Sequence, residues 1–425
     1  MFGIENAQSL LGVMLIIGLC WAASDARGRF PWRLAIGAVA AQAALVVILF
    51  SVPAARAILG GAAAGVQGLA GSTQTGVAFV FGFLAGGPGQ PYGVTNPPAL
   101  FILAFRVLPV ILVVCAVAAL LWHWRILRWL IQAFGFVFQR TMGLRGAPAL
   151  ATAATIFMGQ VEGPIFIRSY LAELTRSELF LLITVGMSCV AGSTVVAYAI
   201  ILGGAVPNAA EHVLTASLIS APAGVLLARI LVPREPEAEA KSEFDAATVK
   251  TYASSIDALM KGTDDGLHMV LAIGATLLVF VALIAMVNGV LGLFGPVAGA
   301  PLSVQRGLGV VFAPLAWAIG IPWKEAGAGG ALLGTKLVLT EFTAFVDLTH
   351  LTGLSERSRV VMTYALCGFG NIASAGINVA GYTFLVPERR EEVMAMVWKA
   401  MAAGFLATCL TAAVVGAMPA ALFGK

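Results

Sequence analysis

Charged residues are scarce in this chain of 425 residues: 11% are Asp, Glu, Lys or Arg, whereas 60% are hydrophobic. Soluble proteins carry a charge at about a quarter of their positions, so a soluble globular fold is excluded. The charges are also clustered, which leaves uncharged runs such as 6–24, 34–55, 107–124 and 179–210. Most of these runs can cross the ~30 Å hydrocarbon core of a bilayer as a helix. The sequence therefore predicts an all-α polytopic membrane protein.

Cysteine and histidine are also scarce, with five and four residues respectively. The cysteines lie singly inside apolar runs, without a CxxC motif or a histidine at metal-ligand spacing, so no metal site is predicted. The net charge of +4 is small, and the basic residues lie at the ends of apolar segments. This pattern gives no support to nucleic acid binding. We expect no cofactor beyond a coupling ion.

The positions of the basic residues predict the orientation, because cytoplasmic loops collect Lys and Arg. Basic residues follow the first, third and fifth predicted spans and precede the eighth, at Arg27, Arg29, Arg33, Arg125, Arg128, Arg140, Arg145, Arg229, Arg234, Lys241, Arg389 and Arg390. If these ends are cytoplasmic, eight spans place both termini on the outer side of the membrane.

Six segments are predicted along the chain. They are scaffold spans 1–3 with an outer connection (1–121), an interfacial helix (122–143), a first hairpin with spans 4 and 5 (144–233), a polar cytoplasmic linker (234–265), span 6 with an outer interfacial segment (266–321), and a second hairpin with spans 7 and 8 (322–425). Within the first segment, the charge-free stretch 57–105 holds eleven glycines and four prolines. We expect these to break any continuous helix and to give an outer, partly interfacial connection.

Two apolar stretches, hairpin 1 (146–172) and hairpin 2 (325–350), each begin and end near the same predicted face and hold one central carboxylate, Glu162 and Glu341. Each is predicted to be a re-entrant hairpin, whose exposed backbone is tolerated at membrane depth only inside protein or beside a wet cavity. A Gly and polar break inside an apolar helix follows each carboxylate, at Ser193 after 31 residues and at Asn371 after 30. The hairpins start from opposite faces, so the repeat is inverted. This pattern is typical of transporters with discontinuous helices and a midplane binding site.

The motif GQVEGP places Gln160 and Glu162 in hairpin 1. Glutamine both donates and accepts hydrogen bonds, and glutamate accepts when ionised. The pair therefore suits a ligand with mixed hydrogen-bonding edges, such as a nucleobase. The alternative is that Glu162 only ties the hairpin together through backbone N–H groups, although a carboxylate inside a membrane is usually functional.

In the second half, Glu341, Asn371 and Ser374 together could bind hydroxyl groups, as a ribose requires. Lys336 precedes Glu341 by five positions, about one and a half helical turns. A structural ion pair between Lys336 and Glu341 is therefore a rival interpretation.

The motifs GQVEGP, LGTKLVLTEFTAF and YALCGFGNIASAGI, together with FRVLP at 105–109, carry a family resemblance. In this order and spacing the chain resembles the bacterial concentrative nucleoside transporters over essentially its whole length. The resemblance implies a homotrimer in the cytoplasmic (inner) membrane. It also implies a scaffold of the first three spans and a mobile transport domain of hairpins and broken helices. The implied activity is nucleoside uptake driven by a sodium or proton gradient.

The resemblance also implies roles for single residues. Residues at the family's base-contacting positions are Gln160, Val161, Glu162 and Thr194, and residues at its ribose-binding positions are Glu341, Asn371 and Ser374, with Phe369 beside them. Val161 replaces the usual Thr or Ser and so removes one hydroxyl. Thr340 replaces a common Asn, which we expect to alter the hairpin tip and not the ligand.

At the implied cation site, Thr155 and Cys189 stand where sodium-coupled members have an Asn and a Ser. Met158 and Val190 supply the matching backbone carbonyls. Sodium prefers hard oxygen ligands, whereas a thiol is soft. This favours proton coupling, with Glu162 or Glu341 as the carrier, and sodium coupling is the alternative.

Three other classes of protein fit the sequence less well. A membrane enzyme using Glu162 and Glu341 as acid and base lacks a nucleophile with a His partner, so we predict that the protein is not an enzyme. A two-hairpin transporter of another small polar solute, such as a dicarboxylate, would need Arg or Lys at tips that here hold carboxylates. A passive channel would not need an inverted repeat with buried carboxylates.

Overall fold

A computed structural model describes most of the chain as helix. The described residues are 3–85, 91, 93, 102–144, 146–160, 162–165, 167–234, 252–297, 299–419 and 422–423. Within them, the only extended pairing is a two-residue antiparallel ladder between β1 (Pro296–Val297) and β2 (Ala300–Pro301). The predicted all-helical class is confirmed.

The helices fall into three groups along the chain. The first group is α1 (Ile4–Ala22), α2 (Trp32–Ser51), α3 (Pro53–Phe81), α4 (Leu103–Arg106), α5 (Leu108–His123) and α6 (Ile126–Met142). The second is α7 (Gly146–Met158), α8 (Glu162–Ile165), α9 (Arg176–Ser188), α10 (Gly192–Leu202) and α11 (Ala209–Leu231). The third is α12 (Ser255–Gly292), α13 (Val304–Ala318), α14 (Trp323–Val338), α15 (Glu341–His350), α16 (Glu356–Leu366), α17 (Ile372–Leu385) and α18 (Arg390–Gly416).

Seven helices in the described part of the chain are long and apolar enough to cross a membrane, or eight if α13 and α14, bent by 117°, count as one span. The multi-span prediction is therefore confirmed. Predicted spans 4 and 7 are each two short helices separated by a break, α9 with α10 and α16 with α17. These breaks fall where the sequence places its Gly and polar interruptions.

The glycine-rich stretch differs from the prediction. Helix α3 runs unbroken from Pro53 to Phe81, so the expected interruption is wrong for this part. A glycine inside a helix costs about 1 kcal/mol relative to alanine but creates no clash. The prolines, which do clash, all come after Gly82, where the backbone is left-handed (φ +56°) and the helix ends. The outer, interfacial placement of this segment stays a prediction.

Two other segments refine the expected boundaries. Helix α12 begins inside the stretch expected to be linker, because Ser254 caps it by accepting a hydrogen bond from the Asp257 N–H (3.1 Å). Residues 235–251 of that linker lie outside the described residues. Helix α6 exposes Trp129 and Phe136 while it buries Ile131, a distribution typical of a helix lying at a membrane surface.

Glycines bring the central helices into close contact. A Cβ added to Gly404 of α18 would lie 2.6 Å from Met187 Cβ of α9, and one added to Gly224 of α11 would lie 2.5 Å from Ser188 Oγ. Small residues permit such close packing in membrane proteins, where apolar burial gives helices little reason to associate. Helices α9, α11 and α18 therefore form the buried centre of the molecule.

Polar contacts show which helix ends share a face. Asn6 Nδ2, at the start of α1, donates to the Gly416 carbonyl at the end of α18 (3.0 Å), and Arg357 of α16 donates to the same oxygen (2.6 Å). At the other end of α1, Ser24 Oγ donates to the Ile230 carbonyl of α11 (2.6 Å). The beginning of α1 and the end of α18 therefore lie on one face of the helical bundle.

Candidate functional site

Hairpin 2 consists of α14 and α15, separated by a short break at Leu339 and Thr340. Thr340 caps α15 because its Oγ1 accepts a hydrogen bond from the Thr343 N–H (3.3 Å). Glu341 is therefore the first residue of α15, and it is only 5% exposed. A carboxylate in the first turn of a helix is stabilised by the helix dipole.

Both carboxylate oxygens of Glu341 accept hydrogen bonds from side chains. Tyr198 of α10 donates its hydroxyl to Oε1 (2.7 Å), and Asn371 donates Nδ2 to Oε2 (2.7 Å). Asn371 also caps α17, because its Oδ1 accepts the Ser374 N–H (2.7 Å). The structure thus brings Glu341, Asn371 and Ser374 together, as the motif analysis predicts. The structure adds Tyr198, which the sequence motifs did not reveal. Tyr198 follows Thr194 by one helical turn.

Hairpin 1 turns at Gly159, whose φ of +117° is one that residues with a Cβ rarely adopt. Gln160 follows at the tip, is 7% exposed, and accepts a hydrogen bond at Oε1 from Asn378 Nδ2 of α17 (2.9 Å). Glu162 begins α8, and its Oε2 lies 2.7 Å from where a Gly159 Cβ would be. The carboxylate therefore folds back over the tip. Val161 lies outside the described residues.

The tip of hairpin 1 packs against the break between α9 and α10. A Cβ on Gly192 would lie 2.8 Å from the Phe157 carbonyl oxygen, and one on Gly186 would lie 3.0 Å from Gln160 Cβ. The absence of side chains at these two glycines therefore leaves room for the tip. Thr194, in the first turn of α10, is 4% exposed and donates its hydroxyl to the Ala191 carbonyl (2.8 Å).

A chain of hydrogen bonds joins the two predicted groups of ligand-binding residues. From the tip of hairpin 1 it passes through α17 to the tip of hairpin 2 and ends on α10, in the order Gln160, Asn378, Ser374, Asn371, Glu341 and Tyr198. Asn378 was also missed by the motif analysis, although it follows Ser374 by one helical turn. The first turns of α17 therefore link the candidate base-binding residue to the candidate ribose-binding residues.

The two helix breaks meet behind these residues. The Phe369 N–H of the α16–α17 break donates to the Cys189 carbonyl of the α9–α10 break (3.4 Å), and Phe369 itself is partly buried. The neighbouring Val190 carbonyl accepts a hydrogen bond from Ser217 Oγ of α11 (3.2 Å). Two candidate cation-site residues therefore use their carbonyls in contacts within the protein.

The other two candidate cation-site residues lie in hairpin 1. Thr155 is 2% exposed and donates its hydroxyl to the Ala151 carbonyl of its own helix (2.8 Å). Met158 is the last residue of α7. Among the described residues, no group of three His, Cys, Asp or Glu side chains is arranged to hold a metal ion.

Lys336 does not pair with Glu341, so the rival interpretation based on their spacing is wrong. Its fully buried ammonium group donates to the Ala365 carbonyl (2.8 Å) and to Thr408 Oγ1 (2.6 Å), and it lies over the Phe405 ring. The spacing argument assumed one continuous helix. Helix α14 ends at Val338 and α15 begins at Glu341, so the two residues lie on different helices.

Two hairpin tips and two broken helices, with buried amide and carboxylate groups between them, define a secondary-transporter type of membrane protein. Family profiles described as the N-terminus and C-terminus of a Na+ dependent nucleoside transporter match residues 11–84 and 212–416, and one described as nucleoside recognition matches 104–205.

Whole-chain comparisons agree. The chain is 37% identical to the uncharacterized transporter YutK of Bacillus subtilis, covering 96% of this chain and 98% of the relative. It is 32% identical to the nucleoside permease NupC of Helicobacter pylori, covering 96% of both. The solved structure of CNTnw in an inward-facing substrate-bound state matches with a TM-score of 0.88 at 33% identity, covering 97% of this chain and 98% of that one. The chain belongs to the concentrative nucleoside transporter family, and it is a cation-coupled transporter and not an enzyme.

Proposed function

We propose that this protein is a secondary active symporter that imports nucleosides across the bacterial cytoplasmic membrane by alternating access. The observation that carries the proposal is the buried hydrogen-bond chain between the two hairpin tips. At one end it offers the amide of Gln160 for a base, and at the other the carboxylate of Glu341 for ribose hydroxyls.

The polarity of the tips supports a neutral, hydroxyl-rich ligand over an anionic one. A dicarboxylate or an amino acid would need a cationic partner in the site. Lys336, the lysine of hairpin 2, instead donates its hydrogen bonds to the Ala365 carbonyl and the Thr408 hydroxyl. Glu341 accepts hydrogen bonds from two protein donors and so suits a ligand that donates hydroxyl protons in their place.

We further propose that uptake is coupled to protons. Thr155 offers one hydroxyl where sodium-coupled members have an amide, Cys189 offers a soft thiol where they have a hydroxyl, and the Val190 carbonyl already accepts a hydrogen bond from Ser217. These groups make a weak set of sodium ligands. The proposed proton carrier is Glu162 or Glu341, since each is a carboxylate at the tip of a hairpin.

The test uses proteoliposomes with labelled uridine and adenosine under separate proton and sodium gradients. We expect uptake to follow an inward proton gradient, to persist without sodium and to fall as the external pH rises. The variant Thr155→Asn with Cys189→Ser should acquire sodium stimulation. Strict sodium dependence with no response to a pH gradient would overturn proton coupling. It would support the alternative, a sodium-coupled nucleoside symporter, which the description of the matching family profiles favours.

The remaining architectural proposals concern arrangement in the membrane. The helix ends that carry Asn6 and Gly416 share a face, and the basic clusters predict that this face is the outer one. We propose eight spans with inverted repeats, in which α1, α2 and α5 belong to a scaffold and the hairpin units move against it. We also propose a homotrimer. Native mass spectrometry of the purified protein tests the trimer, and a different subunit number would contradict it.

A further inference from the structure

Asn378 lies at the point where α17 meets hairpin 1. It is fully buried, one helical turn after Ser374, and its Nδ2 donates to both Ser374 O (2.9 Å) and Gln160 Oε1 (2.9 Å). Its own Oδ1 is buried without a hydrogen-bond partner in the part of the chain that the structure describes.

The hydrogen bonds of Asn378 determine which way the Gln160 amide faces. A backbone carbonyl can only accept, so the Asn378 atom next to Ser374 O must be the Nδ2 donor. The same Nδ2, which can only donate, also faces the Gln160 side chain. The Gln160 atom that faces it must therefore be the acceptor Oε1. The order of these contacts removes the usual ambiguity between the two ends of an amide.

We propose that Asn378 is a specificity-determining positioning residue for the nucleobase. By holding Gln160 Oε1, it leaves the Nε2 donor of Gln160 as the end that faces the ligand. The base must then present an acceptor at this contact, and a carbonyl group satisfies it better than an amino group. The inference rests on the proposed nucleoside function and adds to it the direction of one hydrogen bond.

Two pairs of nucleosides test this direction because they exchange a carbonyl for an amino group at the same ring position. They are uridine with cytidine, and inosine with adenosine. In the parent protein, we expect the carbonyl member of at least one pair to bind more tightly. One hydrogen bond of this kind corresponds to about a 2- to 10-fold difference in dissociation constant.

The variant Asn378→Leu removes the donor, keeps the branching of the side chain and lets the Gln160 amide turn over. We expect the ratio of dissociation constants within the pair to fall toward one. The variant Gln160→Glu keeps an oxygen that accepts from Asn378 but replaces the Nε2 donor that faces the base with a second oxygen acceptor. The preference should therefore shift toward cytidine and adenosine, which carry the amino group. The matched control is Thr383→Val on the same helix, which also removes a buried unpaired oxygen and should leave the ratio unchanged.

Competition against labelled uridine on the purified full-length protein measures these ratios for the parent and each variant. The double variant Asn378→Leu with Gln160→Leu should change the ratio no more than Gln160→Leu alone, since both act through one amide. A parent ratio near one in both pairs, an unchanged ratio in Asn378→Leu and Gln160→Glu, or additive effects in the double variant would overturn the inference while nucleoside binding stands. If none of the four nucleosides binds to the parent, the proposed function itself fails.

Discussion

The two hairpins have the same place in the repeat but are held by different forces. Hairpin 1 closes through the absence of side chains: a Cβ on Gly163 would lie 2.2 Å from Thr155 Oγ1. Hairpin 2 closes through hydrogen bonds: Lys336 ties its first arm to α16 and α18, and Thr340 caps its second arm. The contact between the two arms of hairpin 1 should therefore be lost when atoms are added at Gly163, and hairpin 2 should be weakened when polar atoms are removed.

The largest effect should come from Gly163→Ala. The added methyl group meets both the hydroxyl and the backbone of Thr155, and a clash with backbone cannot be relieved by a rotamer change. We expect loss of uptake and a cost at the upper end of the roughly 1–3 kcal/mol typical of overpacking. Uptake and thermal denaturation of the purified protein measure it. Gly376→Ala, on α17 with open space around it, is the control, and equal behaviour of the two variants would refute steric closure of hairpin 1.

Glu341→Gln should have the next largest effect and act on binding. Glutamine keeps the shape but loses the charge that accepts hydrogen bonds from Tyr198 and Asn371. A hydrogen bond to a charged group contributes about 1.5–3 kcal/mol, or roughly 10- to 150-fold in affinity. Equilibrium binding of uridine measures the loss, with the exposed Glu356→Gln as the control. Binding equal to that of the parent would show that Glu341 does not contact the ribose.

Lys336→Met should lower stability and leave the nucleoside ranking unchanged. The substitution removes the donor to Ala365 O and Thr408 Oγ1, and each buried acceptor left unpaired costs about 1–3 kcal/mol. A lower denaturation temperature is expected, with the exposed Lys324→Met on the same helix as the control. An altered ranking would instead place Lys336 in the ligand site.

Val161→Thr should give the smallest effect, a reordering of nucleosides without loss of transport. The substitution restores a hydroxyl at the tip of hairpin 1, and one neutral hydrogen bond contributes about 0.5–1.5 kcal/mol. Competition by a panel of unlabelled nucleosides compares the two proteins. Identical rankings would show that residue 161 does not face the base.

The residues that the sequence revealed are those whose burial is costly. Gln160 and Asn371 are polar residues in uncharged runs, and Glu341 is a carboxylate near the middle of an apolar hairpin. Such residues in a membrane protein are usually functional. The sequence also predicted the positions of the two helix breaks, because Gly and polar residues interrupt apolar helices there. The family motifs then assigned base-binding or ribose-binding roles to these residues, and the observed contacts make those roles testable.

Other features depended on packing that local patterns do not encode. Tyr198 and Asn378 share a helix face with Thr194 and Ser374, so one-turn spacing could have found them, but only the structure shows their partners. The spacing between Lys336 and Glu341 misled because it crosses a helix break. Helix α3 was missed because glycine lowers helix propensity without forbidding a helix.

One consequence follows from the hydrogen-bond chain that runs along the start of α17. Asn371 and Asn378 stand less than two helical turns apart at the start of α17, so the two ends of the proposed ligand site are supported by one helix. If a ligand group bound at one end shifts α17, the affinity for the ligand group at the other end changes. Thermodynamic linkage requires each ligand group to change the affinity for the other by the same factor. Free base and free ribose would then bind as coupled fragments. The glycosidic bond of a nucleoside joins them and so removes the entropic cost of ordering the second fragment.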